Sequence, residues 1–315
     1  MRARQGKRPS PVLSVYRAVF LCCIAGLGLY VSCQSFGTSA EEYYSIGMAY
    51  FELGKYDEAE LWLSRAEAAD KTRTASEYNL GRIAFETGRY EDAVRYFERV
   101  LAQDQNNVMA LRALAYTRIK TGEIDKAEAL YARVLALVPD SLDDGYNHTL
   151  VLFAMEKYEE AEKLLSSNPL ILDENRDMLL LLARTQKALG KVEAADAYDR
   201  WLKGGDDAAI RYEYAEILEK MELYARAIEE YQAILVNLPG DSVDPAKAGV
   251  RFSLARVFLI ADGENPQGML ELRSALEEGF ADQDALESLA EDKRIPEEGR
   301  EEIRELIKES AGESN

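Results

Sequence analysis

The stretch TGRYEDAVRYFERVL, residues 87–101, has a skeleton that returns upstream as LGKYDEAELWLSRAE (53–67) and downstream as TGEIDKAEALYARVL (121–135). In each copy a large side chain stands two residues after a glycine, and an alanine stands three further on. Followed along the chain, the alanine recurs as Ala59, Ala93, Ala127, Ala161 and Ala195 at steps of 34, and then as Ala227 after 32. The glycine position reads Gly54, Gly88, Gly122, Glu156, Gly190 and Glu222. Glycine is the residue that readily takes the positive φ at which a helix ends, so the skeleton predicts helix, turn and helix in every unit. A second ladder of small side chains, Gly47, Gly81, Ala115, Thr149, Ala183, Ala215 and Ala255, runs through the first helix of each unit and predicts close helix crossings there.

A 34-residue period built of helix, glycine turn and helix resembles the tetratricopeptide repeat, and residues 43–66 and 78–100 match that pattern most closely. The resemblance implies an all-α helix-turn-helix solenoid, a right-handed superhelix of about seven repeats. The units fall near 40–73, 74–107, 108–141, 142–175, 176–207, 208–241 and 248–280. Pro169 predicts a short second helix in the fourth unit, and ADGENPQG (261–268) a longer turn in the seventh. In the fifth unit Asp199 falls where Phe97 and Tyr131 stand in others. Residues 281–315 read as two charged capping helices whose apolar faces carry Leu286, Leu289, Ile303, Leu306 and Ile307.

The 315 residues carry 38 basic and 57 acidic side chains, and the segment before residue 33 holds five of the basic ones and no acid, so the body beyond it is strongly acidic. Such a surface repels phosphate backbones, which argues against nucleic acid as a partner. Cys22, Cys23 and Cys33 are the only cysteines and His148 the only histidine. Histidine-based triads, multi-histidine zinc sites and a disulfide framework therefore lack their residues. His148 falls on a core ladder with Leu80 and Leu114, and PDSLDDG (139–145) lacks the glutamate that a calcium loop needs at its twelfth position, so it reads as a turn with Ser141 or Asp143 capping the next helix. PGDSVDP (239–245) likewise reads as a turn. The expectation is a non-enzymatic protein without cofactor or metal.

The N-terminus reads as an address. Basic residues end at Arg17, and the apolar stretch AVFLCCIAGLGLYV (18–31) has the length of a secretory core rather than of a spanning helix. Ser32 and Cys33 then resemble a bacterial lipoprotein signal, with residues 1–32 as signal peptide and 33–39 as tether. Tyr30 departs from that pattern, where leucine is usual. Lipidation of Cys33 would hold the protein stably at a membrane through several acyl chains, with Gln34 favouring the periplasmic face of an outer membrane. An uncleaved anchor, or cleavage near residues 38–40, is the alternative.

Two positions four residues apart lie on one helical face and face the concave groove in proteins of the resembled family. The first collects Tyr44, Tyr78, Arg112, Tyr146, Leu180, Tyr212 and Phe252; the second collects Met48, Arg82, Tyr116, Leu150, Arg184, Glu216 and Arg256. Tyrosine and arginine are enriched at binding hot spots. The expected site is therefore Tyr44, Tyr78, Arg82, Arg112, Tyr116, Tyr146, Arg184, Tyr212 and Arg256, taking a protein or peptide segment with acidic and apolar residues. Packing of these tyrosines between repeats, with the arginines paired to the abundant acids, is the competing reading. No repeat has the lysine and asparagine that clamp a partner's terminal carboxylate; Asn79 and Asn147 lie beside the strip. The expected role is a scaffold in the bacterial envelope. The alternative is a docking or assembly subunit of an envelope transport or outer-membrane machine, binding a small ligand or substrate chain.

Overall fold

Six turns place the residue at the glycine position at positive φ: Gly54 at 69°, Gly88 at 75°, Gly122 at 77°, Gly190 at 68°, and also Glu156 at 58° and Glu222 at 60°. The turn geometry is thus common to all six, and two glutamates adopt it without the freedom of glycine. A left-handed non-glycine residue costs about 1–2 kcal/mol, partly offset by glycine's larger loss of freedom on folding. Glu156→Gly and Glu222→Gly are each expected to raise stability by roughly 0.5–1 kcal/mol, read as a higher urea midpoint at unchanged slope.

The computed structural model describes residues 39–167, 175–237, 246–263, 265–310 and 312. Among these the helices come in pairs: α1 (Ala40–Glu52) and α2 (Tyr56–Glu67), α3 (Asp70–Glu86) and α4 (Tyr90–Gln103), α5 (Val108–Lys120) and α6 (Ile124–Leu137), α7 (Leu142–Ala154) and α8 (Tyr158–Ser166). There follow α9 (Arg176–Ala188) and α10 (Ala194–Lys203), α11 (Ala208–Lys220) and α12 (Tyr224–Asn237), α13 (Lys247–Ala261) and α14 (Pro266–Glu277), and the closing helices α15 (Gln283–Glu291) and α16 (Glu297–Ser310). The fold is an all-α helical repeat. Several first helices are capped by side chains: Ser39 forms a capping box with Glu42, Asn107 accepts from the amide of Ala110, and Ser141 from that of Asp144. The short α8 ends at Ser166, whereas Pro169, the turn 239–245 and Cys33 with its leader lie outside the described residues.

Every member of the small-residue ladder is buried, and at Gly47 and Gly81 the paired helix passes directly over it. A Cβ on Gly81 would sit 2.7 Å from a ring carbon of Phe97, and one on Gly47 2.7 Å from Cγ of Leu63. The apolar face of each second helix then follows at fixed spacing, as Ala93, Phe97 and Val100, or Ala227, Tyr231 and Ile234.

The fifth unit corrects the alanine ladder. Ala194 and Tyr198 are fully enclosed and take the core register, with Ala195 buried less completely at 9% and Asp199 only half-buried. After Gly190 the chain enters α10 through i→i+3 bonds, Ala195 N–H to Val192 O at 3.1 Å and Asp196 N–H to Glu193 O at 3.1 Å. A 3₁₀ entry uses fewer residues per turn, so the core position arrives one residue early. Ala194 then lies 33 residues after Ala161 and 33 before Ala227.

The chain divides into two compact units, 1–121 and 122–315, the cut falling in the turn after α5. The charge divides with it. From residue 39 the first unit holds 11 basic and 14 acidic side chains, and the second holds 22 and 43. In the second unit α15 and α16 close the last pair over a core of Leu272, Leu286, Leu289, Ile303 and Leu306.

Candidate partner-binding face

In the first unit the predicted residues form a connected surface. Asn79 on α3 donates through Nδ2 to the Tyr44 hydroxyl of α1 at 3.1 Å and to its own helix at Ala75 O, while its Oδ1 accepts from Arg82 Nη1 at 3.1 Å. The Arg82 guanidinium lies 4.4 Å from the ring centre of Phe51. Tyr78, half-buried, has its ring 5.8 Å from that of Phe97. Burial raises the Tyr78 phenol above its usual pKa, and the nearby positive charges of Arg82 and Arg112 counter part of that rise. Tyr116, 47% exposed, packs 5.3 Å from Phe85 with the Lys120 ammonium 5.4 Å over its ring. Arg112 is exposed. Asn79, an isolated hint in the sequence, is the residue that ties Tyr44 to Arg82.

The second unit uses its predicted residues internally. Arg184 makes a two-pronged contact with Glu213, Nε to Oε2 at 3.1 Å and Nη2 to Oε1 at 2.8 Å, and the buried Tyr198 hydroxyl donates to the same carboxylate at 2.7 Å. Arg256 grips Glu219 in the same manner, with both bonds at 2.8 Å. Tyr212 shares a hydrogen bond with Ser253 at 2.8 Å and packs on Tyr231, and Tyr146 packs against the cluster of Leu165, Met178 and Leu182. Phe252 is buried under a parallel stack with Phe280 at 4.2 Å. Beyond it Glu219, Arg256, Leu289, Asp292 and Arg294 line a cavity of about 420 Å³ walled by α11, α13 and α15. Arg294 chelates Asp292 in that wall.

Glu213 carries a pH signature. Burial alone would raise its pKa, but the bonds from Arg184 and Tyr198 outweigh this and hold it below the ordinary glutamate value. A carboxyl depressed in the folded state stabilises the fold above its unfolded pKa, about 4.3, and loses that contribution as pH falls through the folded value. Arg184→Met is therefore expected to flatten the fall in melting temperature of the second unit below about pH 4.5. An unchanged acid limb would remove Glu213 from that role.

His148 is buried, with Nε2 3.1 Å from Glu128 Oε1. Among the described residues no three histidine, cysteine or acidic side chains come together as a metal site, and no helix is long and apolar enough to cross a membrane.

A helical-repeat fold presenting side chains from successive first helices defines the class of repeat scaffolds. Tetratricopeptide-repeat models match residues 40–72, 84–146 and 180–242, and the chain belongs to the tetratricopeptide-repeat family. A solved tetratricopeptide repeat protein from Parabacteroides merdae is similar at 20% identity and a TM-score of 0.54, over 87% of this chain and all of that one. MamA from Desulfovibrio magneticus RS-1 aligns at 16% identity and a TM-score of 0.49, over 53% of this chain and 94% of its own. These likenesses concern the fold alone. No curated protein matches the sequence significantly.

Proposed function

We propose that the protein is a non-enzymatic scaffold that binds a segment of another protein on the first-unit face of Tyr44, Tyr78, Arg82, Arg112 and Tyr116. The observation that carries this reading is the linked surface in which Asn79 joins the Tyr44 hydroxyl to Arg82, whose guanidinium lies on the Phe51 ring, beside the half-buried Tyr78 and the exposed Tyr116. Planar cations beside rigid aromatic surface suit a segment with carboxylates and apolar side chains. Arg184 and Arg256, already held by Glu213 and Glu219, are assigned to the architecture of the second unit. The protein works in the bacterial envelope, held to a membrane through Cys33.

The test is crosslinking and mass-spectrometric identification of partners in native envelopes, comparing wild type with a folded Tyr78→Ala, Arg112→Glu, Tyr116→Ala variant. Loss of one specific partner, with affinity reduced at least about tenfold for that partner in isolation, is expected from removing two aromatic anchors and inverting a charge. An unchanged partner set removes the face from the function. Separately, Cys33→Ser is expected to release the protein from membranes; retention would favour an uncleaved anchor.

A further inference from the structure

The outer side of the first repeat is unusual for the end of a repeat array. Tyr43, Ile46 and Tyr50 project from one face of α1, at i, i+3 and i+7. Their counterparts 34 residues on are Glu77, Leu80 and Ala84, which are 5%, 1% and 0% exposed on α3, a helix that packs against α2. On α1 Tyr43, Ile46 and Tyr50 are each only half-buried, Tyr50 with one side packed against the core of Ala59 and Leu63. Terminal repeats ordinarily carry a polar outer face for solubility. Here the face is aromatic, and Trp62 of α2 extends it, with its ring 5.7 Å from that of Tyr43. In the same helix pair Leu61, next to Trp62 in sequence, and Leu53 in the turn are 52% and 70% exposed.

Cations sit on the rings. The Arg65 guanidinium is 4.7 Å from the Trp62 ring and 6.0 Å from that of Tyr43, and the Lys55 ammonium lies 5.9 Å from Tyr50. Tryptophan and tyrosine with long cationic side chains alongside are the composition of a membrane–water interface, where rings lie at headgroup depth and charged ends reach water. The chain outside the described residues indicates which surface lies against this end. Cys33, the proposed attachment point, stands six residues before Ser39, a span of at most about 22 Å.

We propose that the outer face of the first repeat, Tyr43, Ile46, Tyr50, Leu61 and Trp62, rests in the lipid headgroup region and fixes how the protein stands on its membrane. This rests on the membrane attachment proposed above. It adds a second contact to the tether, and it leaves the face of Tyr78 and Arg112, on the following helices, for the partner.

Two tryptophans, Trp62 and Trp201, make the test direct. The full chain carrying Trp201→Phe, isolated from membranes, is reconstituted into phosphatidylcholine vesicles whose acyl chains are brominated near the headgroup or near the bilayer centre. Zwitterionic lipid makes the result report insertion rather than charge. The Trp62 emission is expected to fall by about half or more with shallow bromines and less with deep ones, while a Trp62→Phe control reporting Trp201 stays unquenched. A protein that floats with the vesicles but shows no Trp62 quenching overturns the inference and leaves the tether intact. Failure to float overturns both. Shielding of Trp62 from lipid and from aqueous iodide alike, with a dimeric mass in detergent, would show a second copy on the face and also overturn the inference.

Discussion

Tyr198→Ala is expected to cost the second unit about 3–5 kcal/mol, whereas Asp199→Ala stays within about 0.5 kcal/mol. The tyrosine is fully enclosed against Tyr214, their ring centres 6.3 Å apart, so truncation leaves a large cavity among side chains that have no room to close it. It also removes the donor to Glu213 and leaves that part-buried carboxylate with one fewer bond. Asp199 keeps company with Lys203 at 2.6 Å on the partly exposed side of α10, where an ion pair contributes little. A Trp62→Phe background confines the fluorescence signal to Trp201, which lies on α10 itself, so urea unfolding reads the second unit separately. Equal effects at the two positions, or the reverse order, would restore the register in which Ala195 and Asp199 face the core.

Gly81→Ala is expected to destabilise the first unit by about 1–3 kcal/mol although alanine is the better helix former. The added carbon would meet the edge of the Phe97 ring at 2.7 Å, and Phe97 is itself 1% exposed with no space to retreat. Phe97→Leu alone opens a void and also destabilises. The double variant exchanges volume between the two helices, so its loss should be smaller than the sum of the single losses by at least about 0.5–1 kcal/mol. Trp201→Phe leaves Trp62 to report the first unit in the same urea experiment. Strict additivity would mean that the α3–α4 crossing is not set by this contact.

The repeat was legible because its two constraints are local. A positive-φ turn and a small residue at the crossing each leave a mark at a fixed position, and the turn mark survives at Glu156 and Glu222 because neighbouring positions kept the phase. The slip at α10 was hidden by the doublet Ala194 and Ala195, which lets alanine count in either register; Tyr198, one place before the expected aromatic, was the signal that could have exposed it. The arginine strip was legible as a set of positions but not as a set of states. Whether an arginine faces a partner or a carboxylate depends on which acid the adjoining helix brings within about 3 Å, and Glu213 and Glu219 arrive by packing between repeats. Asn79 could be seen beside the strip, but its bridge from Tyr44 to Arg82 required the crossing of α1 and α3.

The unequal division of charge gives the halves different relations to the salinity around them. The first unit is near electrical balance, so its net self-repulsion is small. The second, with nearly twice as many acids as bases, works against its own repulsion, which mobile cations relieve over a screening distance of about 10 Å at 0.1 M. Dilution should therefore loosen the second unit first, so that a change in the surrounding medium weakens the closing helices before it reaches the first repeats.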